Sequence, residues 1–237
     1  MDKLILIPGL ACDAALWQAQ LAALPARWNA AVADVAERCT RIEDMAALLL
    51  AEHPGPLVLC GASMGGMVAM EAARQAPARV RGLALLGTSA RPETPDMRQL
   101  REQAIVLFET GRADEVLRAN VPFAFDRRHP ELKPLAKSYL EMVLRVGADQ
   151  LVRQNRAVMA RPDARAHLPA LRCPVLVASG ESDSLTPPEC AREIAALVPQ
   201  AELHLLPLCG HMLTMEQPAA VNALLLDWLA RLAPQPR

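Results

Sequence analysis

Short apolar runs recur along this chain, each bounded by turn-forming residues, and they predict strands at 3–7, 29–34, 56–61, 81–86, 173–179 and 201–206. Between them, apolar residues return every three or four positions, the spacing that puts them on one helix face. That pattern predicts helices at 13–24, 41–52, 64–75, 187–197 and 218–232. Strands that alternate with helices build parallel sheets, because each helical crossover carries the chain back to the end where the last strand began. The expected fold class is α/β, a mostly parallel, doubly wound sheet.

From about Arg91 to Arg165 the alternation stops. Helical patterns such as Met97–Glu109 and Leu135–Val146 fill the interval, and no convincing strand interrupts them. This segment reads as a helical cap at 91–165, inserted into a core made of 1–90 and 166–237.

The chemistry concentrates where apolar runs end. Leu57-Val58-Leu59-Cys60 meets Gly61-Ala62-Ser63-Met64-Gly65, and a helical pattern of small residues follows. This is G-x-S-x-G with a strand before it and a helix after it, the context the motif requires. A sharp strand-to-helix turn strains the central residue, and a Cβ on either flanking position would meet the neighbouring chain. The turn raises the Ser63 hydroxyl above the sheet and beside a helix N-terminus, where negative charge is favoured.

A nucleophilic serine needs a base and an acid, in the chain order Ser, Asp or Glu, His. His53 precedes Ser63, in the wrong order. His129 and His167 lie in polar, Arg-rich stretches beside prolines and are expected to face solvent. His204 alternates within a strand pattern. His211 instead follows that strand in the loop Pro207-Leu208-Cys209-Gly210-His211, and loops at the carboxyl ends of strands are where parallel sheets place their chemistry. A loop histidine without a role is the plainer alternative. Pro174 to Gly180 forms another buried strand pattern, followed by Glu181, Ser182 and Asp183. Asp183 is favoured over Glu181 because it sits deeper in the loop, where it would fix the tautomer of His211. A helix N-cap ahead of Thr186-Pro187 is the competing use for Asp183. At the N-terminus, Leu4-Ile5-Leu6-Ile7 stops at Pro8-Gly9-Leu10. In such an architecture one oxyanion donor is a backbone N–H in this loop and the other follows the nucleophile, which selects Leu10 and Met64.

Together, IPGLACDAALW, GASMGG, PVLVASGESDSLTPP and CGHMLTMEQP resemble the small serine-esterase branch of the α/β-hydrolase superfamily, and they span nearly the whole chain. There are two departures. Pro8-Gly9 replaces the His-Gly usual in that branch, which removes a loop-bracing side chain and keeps the donor. The first antiparallel hairpin of larger members is not expected.

Composition narrows the partners. A length of 237 residues suits one domain, and with 52% hydrophobic but 3% aromatic residues the core must be built from Leu, Ala and Val. A net charge of −1 without a basic tail argues against nucleic acid. No apolar run reaches the length of a membrane span, and Asp2-Lys3-Leu4 leads into a strand without a secretory signal. Cys12, Cys39, Cys60, Cys173, Cys190 and Cys209 are scattered without metal spacing and read as small buried residues of a cytoplasmic protein. No cofactor or metal is expected, and the protein is expected to be a monomer or dimer. The cap holds 14 of the 25 Lys and Arg but 11 of the 26 Asp and Glu, so it carries +3 against −4 on the body. Either those arginines solvate helix faces, or Arg127, Arg128 or the Arg153/Arg156 pair meets an anionic substrate group or an acidic carrier protein.

The sequence thus points to a serine hydrolase acting on a small-molecule carboxylic ester of small to medium acyl size through an acyl-enzyme. Ser63 is the nucleophile, His211 the base, Asp183 the orienting acid, and the Leu10 and Met64 amides hold the oxyanion. Ala90, Leu107, Phe108, Phe123, Phe125 and Met142 are the expected pocket lining. A lactonase, C–C hydrolase or perhydrolase would use the same triad, and a small-molecule receptor of the same fold would leave it idle.

Overall fold

A computed structural model describes residues 3–232, so Asp2 lies outside the described residues. Its strands are β1 (Lys3–Ile7), β2 (Ala31–Val32), β3 (Leu57–Ala62), β4 (Val80–Leu86), β5 (Val175–Gly180) and β6 (Ala201–Leu206). They form one sheet in the order β2-β1-β3-β4-β5-β6, and every neighbouring pair is parallel. The helices are α1 (Gln18–Ala23), α2 (Val35–Arg38), α3 (Ile42–Glu52), α4 (Met64–Gln75), α5 (Pro95–Glu109), α6 (Ala113–Ala124), α7 (Leu132–Val143), α8 (Ala148–Met159), α9 (Pro188–Leu197), α10 (Leu213–Glu216) and α11 (Pro218–Leu232).

Side chains alternate across each strand, and the core divides accordingly. Ile5, Leu59, Leu85 and Val177 pack with Met45 and Leu49 of α3, Val68 of α4 and Ile194 of α9. Leu6, Cys60, Ala84 and Leu176 face the other way, onto Trp17 and onto Leu225, Trp228 and Leu229 of α11. Each fully buried Leu or Ile on these faces contributes roughly 1.5–3 kcal/mol from removal of its surface from water. Because both faces are covered, the central strands β1, β3 and β5 are largely apolar and legible as runs, whereas β6 at the sheet edge carries Glu202 and His204.

Strand order positions the site. From β1 the chain moves to one side for β2, then returns to the other side for β3, β4, β5 and β6. The carboxyl ends of β1 and β3 therefore flank the point where winding reverses, which is where open parallel sheets place their sites. Helix α4 is pressed tightly into this point. A Cβ on Gly65 would collide with the Ile7 carbonyl, and one on Gly66 would come within 2.7 Å of the Thr88 side chain.

The cap consists of α5, α6, α7 and α8, all between β4 and β5. Helix α5 starts at the Thr94 N-cap, whose hydroxyl accepts from Met97 N, with Pro95 at the first position.

Several boundaries differ from expectation. Strand β2 keeps only two residues, because Asn29 turns into the left-handed region (φ 43°) and α2 begins at Val35. The segment expected as one helix at 13–24 starts as a 3₁₀ turn at Ala14–Trp17, capped by Asp13, before α1. Helix α7 starts three residues before the expected Leu135, since Pro134 falls in its first turn, where a missing N–H costs little.

Candidate active site

Ser63 sits between β3 and α4 with φ 52° and ψ −117°, a strained backbone for a residue with a Cβ, costing on the order of 1–3 kcal/mol. The surroundings hold it there. Its N–H donates to the Leu86 carbonyl at 2.9 Å, and its carbonyl accepts from Thr88 Oγ1 at 2.7 Å. The loop after β1 lies against it: a Cβ built on Gly9 would sit 3.3 Å from Ser63 Cβ. Among the described residues, the amides of Leu10 and Met64 are not used by any backbone or side-chain acceptor. For Met64 the reason is general, because the first amides of a helix have no partner within it.

His211 and Asp183 come from loops after neighbouring strands β6 and β5. His211 Nδ1 is 2.8 Å from Asp183 Oδ2. Asp183 Oδ1 accepts the amides of Leu185 and Thr186, both at 2.9 Å, and Thr186 Oγ1 donates to Oδ2 at 2.9 Å. The carboxylate thus serves both uses read from the sequence, turn former and histidine partner. Asp183 is buried, whereas Glu181 is exposed. Burial alone would favour a neutral acid, but the charge of His211, its hydrogen bond and the Thr186 donors bring Asp183 below its ordinary pKa. For His211 burial opposes the imidazolium, and the charge and hydrogen bond of Asp183, with a smaller contribution from Glu216, overcome it and raise its pKa.

Gly87 and Thr88 tie the two halves of the site together. Gly87 has φ 51°, and a Cβ there would lie 3.4 Å from both Asp183 Oδ2 and the His211 carbonyl. Its neighbour Thr88 bonds the Ser63 carbonyl. The Ser63 turn, the Asp183 loop and the His211 loop therefore meet over the end of β4.

Sequence reasoning overlooked the polar scaffold that joins cap and core. Glu216 is buried, and its carboxylate accepts Gly210 N at 2.9 and 3.0 Å and Asp126 N at 2.8 Å. Asp126, also buried, accepts from Ser182 Oγ at 2.7 Å and from the backbone N, Nε and Nη2 of Arg128. The Arg128 hydrogen bonds, working against burial, hold the Asp126 carboxyl far below the usual range. The signal available for Glu216 was its place five residues after His211, ahead of Pro218.

The remaining histidines are structural, and two are not where they were expected. His129 is half-buried with Nε2 3.0 Å from the Glu216 carbonyl, and His167 buries Nε2 without a partner. Arg127 and Arg128 are exposed while the neighbouring His129 ring turns inward, and His167 lies beside Met67, Met70 and Glu71 of α4. His53 lies 3.2 Å from Lys3 Nζ, and His204 is partly exposed on β6.

The expected lining does not form one surface. Phe108, Phe125 and Met142 are buried together on the cap side of the sheet, where Tyr139 packs edge-on against Phe125 at 5.5 Å. Leu107 is half-buried and Phe123 is 47% exposed. Ala90 instead packs on the opposite core face with Ala157 and Val158, because its carbonyl accepts Ala164 N where the chain leaves the cap. Of the cap arginines, Arg128 is held by Asp126, Arg156 pairs with Glu109 at 2.9 Å, Arg153 reaches the Glu37 carbonyl at 3.4 Å, and Arg127 is exposed. No described helix is long and apolar enough to cross a membrane.

A parallel sheet with a strained serine elbow after its third strand, beside a buried Asp–His pair, defines an α/β-hydrolase. The chain belongs to the family described as serine aminopeptidase, S33, which matches residues 20–218. It is 28% identical to a Variovorax paradoxus (strain S110) protein named "Putative carbamate hydrolase RutD", over 98% of this chain and 93% of that one. A thermophilic esterase from Thermogutta terrifontis superposes with a TM-score of 0.86 at 27% identity, covering 99% of this chain and 91% of that one. The enol-lactonase from Burkholderia xenovorans LB400 shares the fold, with a TM-score of 0.83 at 23% identity over 97% and 92% of the two chains.

Proposed function

We propose that this hydrolase cleaves a carboxylic ester of small to medium acyl size through an acyl-enzyme. The observation that carries the proposal is the 2.8 Å contact of His211 Nδ1 with buried Asp183, which leaves Nε2 as the ring nitrogen available to Ser63. In this reading Ser63 Oγ attacks the carbonyl carbon as its proton passes to His211 Nε2. The tetrahedral oxyanion is held by the Leu10 and Met64 amides, each worth about 3 kcal/mol of barrier where such a donor has been deleted. The intermediate collapses, the C–O bond to the alcohol breaks, and His211 returns the proton to the leaving oxygen. Water then repeats the sequence on the acyl-Ser63 ester and releases the acid.

A carbamate is a second reading, favoured by the name its relatives carry. Its carbonyl bears nitrogen in place of the acyl carbon, and the same elbow and histidine would transfer a carbamoyl group. One panel tests both: p-nitrophenyl acetate and butyrate beside a p-nitrophenyl carbamate, with wild type and Ser63→Ala. Turnover of the esters that vanishes in Ser63→Ala supports the esterase reading. Turnover confined to the carbamate replaces it with the second, and turnover that survives in Ser63→Ala overturns the assignment of the nucleophile.

A further inference from the structure

The oxyanion loop is a four-residue turn from Gly9 to Cys12, closed by Cys12 N donating to the Gly9 carbonyl at 3.1 Å. The Gly9 carbonyl and the Leu10 N–H belong to one planar peptide and point in opposite directions. Turning the carbonyl into the turn therefore turns the Leu10 N–H out of it. Ala11, the third residue, has φ 60°. A type II turn requires this conformation at that position, and glycine usually supplies it because a Cβ is strained there. Alanine needs something to hold it.

What holds it comes from the cap. Ala11 N donates to Gln154 Oε1 at 2.9 Å, across 143 residues of sequence. Gln154 lies on α8 and is fully buried, as Ala11 nearly is. Its own amide is oriented by Nε2, which donates to the Ala36 carbonyl at 3.3 Å, so that Oε1 faces Ala11. Without this acceptor the buried Ala11 N–H would be unsatisfied, and the Leu10–Ala11 peptide would be free to rotate Ala11 back to negative φ. Pro8 cannot substitute, having no side-chain acceptor to offer the Ala11 N–H.

We infer that Gln154 is a positioning residue for the oxyanion hole: the cap, through this one side chain, fixes the turn that aims the Leu10 amide. The inference rests on the serine-hydrolase reading above, and it makes the cap part of the catalytic geometry as well as a cover.

The test compares Gln154→Met, similar in length but without the acceptor, with Asn155→Leu, which removes a neighbouring buried amide of α8 bonded to Leu151 and Arg101 instead of the oxyanion loop. Thermal melts place both variants in their folded range before p-nitrophenyl butyrate kinetics are measured. Gln154→Met is expected to lower kcat by about 10- to 100-fold with KM within about twofold, as for a misaimed transition-state donor. Asn155→Leu is expected to keep kcat within about twofold of wild type. If Gln154→Met retains wild-type kcat, or the two variants lose kcat alike, the brace is refuted while Ser63-dependent turnover by wild type still stands. If wild type shows no Ser63-dependent turnover of either the esters or the carbamate, the proposed function fails and the positioning role fails with it.

Discussion

The Ala124 carbonyl, at the end of α6 in the cap, accepts the His211 amide at 3.0 Å and the following Met212 amide at 3.1 Å. The histidine loop is thus fastened to the cap by backbone, next to Phe123, whose carbonyl accepts from Ser184 of the Asp183 loop. Cap and His211 cannot move independently, so a cap that opened as a rigid lid would have to break these bonds or carry His211 with it.

Gly210 shows how close this fastening is. A Cβ there would lie 2.6 Å from the Phe125 carbonyl carbon and 2.7 Å from Asp126 N. Gly210→Ala should therefore push the cap off the loop and cost at least about 10-fold in kcat, with a lowered Tm, as small displacements from reactive geometry are expensive. An active Gly210→Ala protein with unchanged Tm would show that the loop and cap are not held together in solution.

Ser63→Ala and His211→Ala should each remove nearly all esterase activity, and the double variant should be scarcely worse than either, because residues that act as one unit lose their effect together. A fluorophosphonate should label Ser63. Label at another serine, or a double variant far below both singles, would contradict the shared role.

The raised His211 pKa sets the pH dependence. In the proposed mechanism His211 must be neutral to accept the Ser63 proton, so kcat/KM should rise with pH and level off only above the ordinary histidine value of about 6.5. Asp183→Asn removes the charge that outweighs burial, so the acid limb of what activity remains should move below that value, with kcat reduced by about 10⁴-fold, the scale for losing the acid that fixes the tautomer. Glu181→Gln should leave both limb and rate near wild type. A limb that stays in place in Asp183→Asn would assign it to another group.

Much of this arrangement was legible because it follows local rules. The runs at Leu57–Cys60 and Val175–Ala178 are apolar because helices cover both sheet faces, and Gly61, Ser63 and Gly65 announce the elbow within five residues. The scaffold was not legible, because its partners are distant in sequence: Gln154 with Ala11, Asp126 with Ser182, Glu216 with Asp126. A buried Gln in α8 has the same letter as an exposed one, and only the packing of cap on core separates them. His129 and His167 misled for the same reason, since a polar neighbourhood in sequence says little about which way one ring turns.

The cap's +3 against the body's −4 is expected to affect anionic substrates through rate and not chemistry. Arg128 is committed to Asp126, so Arg127→Glu is the variant that changes charge without cutting that brace. It should lower kcat/KM for a dicarboxylate monoester at low ionic strength, with the difference fading at physiological salt, where screening acts within about 8–10 Å. A neutral ester of equal length should not respond. Equal responses by both esters would make the arginines a solvated face.

Glu216 should prove more sensitive to substitution than its distance from the chemistry suggests. Its side-chain partners all donate: Gly210 N, Asp126 N and, more weakly, Cys209 Sγ. Glu216→Gln keeps the shape but turns an amide NH₂ toward one of those donors, so it should lower stability by about 1–3 kcal/mol through a buried group left unpaired. Glu216→Ala, which strands every donor, should lose more. The charge has a second effect that the shape does not. Burial raises the Glu216 pKa, yet when ionised it favours the His211 imidazolium. The Gln variant should therefore shift the acid limb of kcat/KM downward, in the same direction as Asp183→Asn but by less, and without a comparable loss of plateau rate. Denaturant melts and pH profiles on the same samples separate the two effects. A Gln variant as stable as wild type with an unmoved limb would mean that neither the hydrogen bonds to the histidine loop nor the charge beside it matters.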